Sequence, residues 1–68
     1  MNFTIETEQE EDGRWLAEVI ELAGVLAYGQ TKAEAITNVQ ALAFQVLAER
    51  LVNKEATPEL MQVSFKAA

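Results

Sequence analysis

Residues 2–8 alternate: Phe3, Ile5 and Thr7 fall on one face of an extended segment, and Thr4, Glu6 and Glu8 on the other. Period two with one polar face is the pattern of a half-buried strand. An acidic stretch follows, closed by Asp12-Gly13. Asp-Gly is a strong turn pair because glycine reaches positive φ without steric cost. Alternation resumes over residues 14–20, with Trp15, Ala17 and Val19 set against Leu16, Glu18 and Ile20. The two segments predict a hairpin whose inner face joins Phe3 and Ile5 to Trp15, Ala17 and Val19. Glu21-Leu22-Ala23-Gly24 breaks the second strand, with Gly24 expected at positive φ, and residues 25–29 predict a short third strand.

The period then changes. Thr31-Lys32-Ala33-Glu34 has the form of a capping box, in which the threonine hydroxyl accepts from the Glu34 N–H and the Glu34 carboxylate reaches back to Thr31. A helix is expected from about residue 32 to about residue 53, rich in Ala, Leu, Glu and Gln. Ile36, Val39, Ala43 and Leu47 make its core stripe. Leu42 and Val46 flank one side; Phe44, Ala48 and Leu51 flank the other. Two readings of that breadth stay open: a wide core-facing stripe, or one flank, with Phe44, Ala48 and Leu51, that meets a second chain. Residues 53–58 end the helix, since Pro58 cannot continue it. Met61, Val63 and Phe65 alternate with Gln62, Ser64 and Lys66, which predicts a fourth strand. The order is β-β-β-α-β: a small α+β domain with a mainly antiparallel sheet and one long helix packed on one face. Whether residues 61–66 join the chain's own sheet or a partner's is left open by the pattern.

Composition narrows the classes. Sixty-eight residues suffice for one domain, residues 1–68. A core of this size supplies only about 3–5 kcal/mol. Small scaffolds add a disulfide, a metal or a partner subunit, and a chain with no Cys and no His lacks disulfides and the usual zinc ligands. A homo-oligomer is therefore expected, with no metal and no cofactor. The net charge of −6 argues against direct nucleic-acid binding, which needs clustered Lys and Arg. No apolar run approaches the roughly 20 residues of a membrane span, and the N-terminus has no basic segment followed by an apolar one. The cytoplasm is the expected compartment.

In order and spacing, Asp12-Gly13, Trp15, Glu21-Leu22-Ala23-Gly24, Gly29 and Thr31-Lys32-Ala33-Glu34-Ala35 resemble the HicB-like antitoxin domain. The resemblance runs from Asn2 to about Leu51. It implies a truncated RNase H-like fold, without implying nuclease activity. It also implies a protein that neutralises a small basic ribonuclease toxin of the HicA type by stoichiometric contact. Members of that family often carry a C-terminal DNA-binding module. None is visible before Ala68, so the toxin-neutralising half is what the resemblance leads us to expect.

The candidate chemistry is sparse. Glu8, Glu10, Glu11 and Asp12 cluster at one turn, whereas a two-metal site needs ligands converging from several elements. Glu6, Glu18 and Glu21 are expected to align on the outer sheet face. A solvated face is the plainer reading of them, and a surface for a basic toxin is the narrower one. Trp15 is expected in the core. Tyr28 is a candidate contact, since its ring could also stack a base were the charge not opposed to RNA. Gly13, Gly24 and Gly29 lack the spacing and following Lys of a phosphate loop. No nucleophile–base pair can be assembled. The expectation is an antitoxin-like binding protein and not an enzyme, the alternative being a stand-alone homo-oligomer with a structural or accessory role.

Overall fold

The computed structural model describes residues 1–55 and 58–68. Its elements are β1 (Asn2–Gln9), β2 (Trp15–Val19), β3 (Leu26–Gly29), α1 (Lys32–Val52), a 3-10 turn at Pro58–Met61 and β4 (Ser64–Ala67). They form an α+β domain: a four-stranded mixed sheet of order β3-β2-β1-β4 with one helix packed on it.

The hairpin folds as its alternation demands. Ile5 pairs with Val19 and Thr7 with Ala17, so one face gathers Phe3, Ile5, Ala17 and Val19, all buried. Trp15 is half-buried against this core. Gly13 (φ 92°) closes the turn, where its N–H donates to the Glu10 carbonyl and Glu10 N–H to the Arg14 carbonyl. At the β2–β3 turn, Gly24 is again at positive φ (79°).

Gly29 serves a different purpose from the two turn glycines. A Cβ built there would lie 2.4 Å from Ala35 N and 2.8 Å from Ala35 Cα. The strand end and the first helical turn touch backbone to backbone, so β3 can pass under α1 only without a side chain. Thr31 caps the helix as expected, its hydroxyl accepting from Glu34 N–H at 3.1 Å. The reciprocal bond differs from the expected box: the Glu34 carboxylate accepts from the Gln30 N–H, one residue earlier.

The helix buries Ala35, Val39, Ala43 and Leu47. Ile36, expected in that stripe, is half-buried beside it with Leu42 and Val46. The strict i+4 spacing of the buried four sets the contact line. Residues that close leave room only for Ala at two of the four positions. The helix ends with Lys54 in the left-handed region (φ 58°), where Lys54 N–H donates to Leu51 O and Glu55 N–H to Arg50 O. This is a Schellman arrangement with Lys where Gly is usual.

The fourth strand requires a correction. Residues Pro58–Met61 form a 3-10 turn, and the strand begins only at Ser64. Met61 does not alternate into the sheet; it is 88% exposed. The strand belongs to the chain's own sheet, parallel to β1, with Phe3 opposite Phe65. Ser64 N–H donates to Met1 O, and Ala68 N–H to Ile5 O. Residues 56 and 57, expected within the helix-ending segment, lie outside the described residues.

Two substitutions test these backbone arguments. Gly29→Ala should cost about 1–3 kcal/mol, because both clashing partners are backbone. Lys54→Gly should add about 1 kcal/mol by relieving the left-handed residue. Chemical denaturation of both variants checks the opposite signs.

Candidate functional site

Among the described residues no helix covers the outer sheet face. Side chains there follow from the register. Glu6 stands opposite Glu18, and Glu8 opposite Leu16; Glu18 is opposite Leu26, and Leu16 opposite Tyr28. Two rows therefore cross the sheet, Glu6–Glu18–Leu26 and Glu8–Leu16–Tyr28. Glu6, Glu8, Leu16 and Glu18 line a shallow open depression. Glu6, Glu8, Glu18, Leu26 and Tyr28 are all exposed.

Directly opposed like charges weaken a strand pair. Among the described residues no salt bridge to Glu6 or Glu18 relieves the pair; a salt bridge joins Arg14 Nε to Asp12 Oδ2 at 2.7 Å. That bridge belongs to the hairpin turn. Asp12 also accepts from Arg14 N–H at 3.0 Å, and this backbone bond, followed by the side-chain one, lowers the Asp12 pKa. Arg14 lies 4.6 Å from the centre of the Tyr28 ring, so Tyr28 offers a cation-capped aromatic plate next to the acidic row.

Glu21 is placed differently from Glu6 and Glu18. It follows the end of β2 and clasps Thr4: Oε1 accepts from Thr4 N–H at 2.8 Å and Oε2 from Thr4 Oγ1 at 2.9 Å. Ile20 N–H still donates to Thr4 O. The carboxylate thus takes the Thr4 donor at the point where β2 leaves the ladder. The backbone bond from Thr4, with the Thr4 hydroxyl adding to it, holds the Glu21 pKa below its ordinary 4.5. Glu21 closes the sheet end, and its two oxygens are occupied in doing so.

The structure therefore brings Glu6, Glu18 and Tyr28 onto one face and sets Glu21 at its margin. It adds Glu8, Leu16 and Leu26, which sequence reasoning did not single out as contacts. The cross-strand register would have found Leu16 opposite Tyr28 and Leu26 opposite Glu18, and then Glu8 opposite Leu16. Phe44, Ala48 and Leu51 lie elsewhere, on an exposed flank of α1. Phe44 is 54% exposed although its ring meets Phe65 edge-on at 5.4 Å. Phe65 in turn stacks on Phe3 at 5.5 Å.

Among the described residues no cluster of three or more His, Cys, Asp or Glu is arranged to hold a metal ion. No helix among them is long and apolar enough to cross a membrane. No family model, curated protein or solved structure matches the chain.

The Glu21 clasp yields a pH prediction. A carboxylate whose folded pKa is depressed contributes fully above its unfolded value and loses that contribution as pH falls through the folded one. The stability advantage of the native protein over Glu21→Gln should be constant above about pH 5 and shrink on further acidification. Urea midpoints of both proteins at stepped pH provide the check. An advantage that does not change with pH would remove the carboxylate from this role.

Proposed function

We propose that this protein is an antitoxin-like inhibitor that presents its outer sheet face to a small basic ribonuclease of the HicA type, in the cytoplasm. The carrying observation is the opposed Glu6–Glu18 pair, exposed and, among the described residues, in no salt bridge. A basic partner would supply the missing counter-charge, and Leu16, Leu26 and Tyr28 give it apolar area alongside. Binding of this kind covers the partner's RNA-contacting surface; it calls for no reaction at the acidic face. The HicB-like resemblance supports the reading, and the β-β-β-α-β arrangement agrees with it. A second reading, a stand-alone homo-oligomer with an accessory role, is favoured by the exposed, uncharged flank holding Phe44, Ala48 and Leu51.

Glu18→Lys separates binding from folding. Opposite Glu6 it turns a repulsive cross-strand pair into an attractive one, so stability should rise by roughly 0.2–1 kcal/mol. The same change should slow association with a small basic ribonuclease of the HicA type, and the native association rate should fall as salt rises, because rim charges act on encounter. Stopped-flow association, with RNA cleavage followed at increasing binding ratio, reads both effects. Cleavage should reach zero at a fixed stoichiometry. RNA cleavage by this protein alone, abolished by one carboxylate substitution, would overturn the inhibitor reading.

A further inference from the structure

The exposed flank of α1 is longer than the three residues already named. Thr37, Ala41, Phe44, Ala48 and Leu51 are all exposed, and their spacing is 4-3-4-3. That is the seam spacing of paired helices. It differs from the i+4 spacing of the buried stripe Ala35, Val39, Ala43 and Leu47. The helix therefore carries two separate stripes, one buried on the sheet and one exposed, in which Phe44 alone is shown touching another ring, that of Phe65. None of the five seam residues is charged, in a chain where 24% of residues are.

The helix also outruns the sheet on which it packs. Helix burial stops at Leu47 while α1 continues to Val52, and the molecule extends 40 × 19 × 16 Å. Its radius of gyration is 12.5 Å, against about 11 Å for a compact chain of this length. It exposes 4763 Å², about 500 Å² more than a typical folded monomer of its mass.

We infer that the seam is the twofold contact between two copies of this chain, with their α1 helices antiparallel. A basic partner would be recognised by charge, and the seam offers none. A second copy needs only self-complementarity, which the residues have. Antiparallel pairing centred near residue 46 sets Phe44 against the mate's Ala48 and Leu51 against the mate's Ala41, each large side chain facing a small one. Each contact recurs across the axis, as an isologous interface requires. Pairing covers Phe44 and Leu51, 54% and 57% exposed in the single chain, on both copies. This pairing rests on the helix flank and is independent of what binds the acidic sheet face.

The absence of native cysteine makes the test direct. Sedimentation equilibrium of the native chain at micromolar concentration should give twice the 7.5 kDa chain mass. Ala48→Glu, at an exposed helical position, should halve that mass while leaving the circular dichroism unchanged. Ala41→Cys/Leu51→Cys should cross-link into covalent dimers on mild oxidation, and neither single variant should do so, because the antiparallel register keeps each residue far from its own copy. A monomeric native chain, a dimer that survives Ala48→Glu, or double-cysteine chains that cross-link no faster than the singles would each overturn the proposal.

Discussion

A helix is narrower than the sheet it is asked to cover. Four strands span roughly 15–19 Å, and a helix with its side chains is about 10 Å across. Here α1 packs over β3 and β2, reaches β1 in part, and makes no comparable contact with β4. Gly29 sets how close the two layers come, since only a residue without Cβ lets β3 touch the first helical turn. Everything else in the molecule adjusts to that single, offset helix. Phe3, Phe65 and Phe44 fill the uncovered corner as an aromatic chain from sheet to helix. The opposite sheet face has no cover among the described residues.

Two exposed surfaces result, and their chemistries differ. The sheet face sets opposed carboxylates beside Leu16, Leu26 and Tyr28. The helix flank is apolar or small throughout, with Phe44 and Leu51 more than half exposed. A solvated face would serve equally well with mixed charges, and an opposed pair of like charges weakens the ladder it sits in. A chain with a small core gains little by carrying either feature for folding alone. Both features are favourable once a partner supplies counter-charge to one and apolar area to the other.

Much of this was legible in the residues, for physical reasons. Alternation and two positive-φ glycines specify β1, β2 and β3, and Thr31 marks the helix start, because these signals are local. The fourth strand exists as expected but starts later, at Ser64, since Met61, Val63 and Phe65 alternate whether or not the chain is extended at Met61. Its pairing with β1 is long-range and parallel, and no local pattern carries that. Glu34 reaching Gln30 instead of Thr31 depends on the bend at Gln30 and Thr31, whose backbone path the capping pattern does not specify. Glu6, Glu18 and Tyr28 shared a face because their parity is local. Glu21 escaped that parity: it lies past the end of β2, and its clasp on Thr4 depends on how the turn folds back.

The account's central claim is that the two surfaces divide their partners by chemistry. Amide chemical-shift mapping during titration with a small basic ribonuclease of the HicA type tests it most directly. The account predicts shifts at Glu6, Leu16, Glu18, Leu26 and Tyr28, with Ala41, Phe44, Ala48 and Leu51 unmoved. Shifts confined to that helix flank, with the sheet face silent, would contradict it.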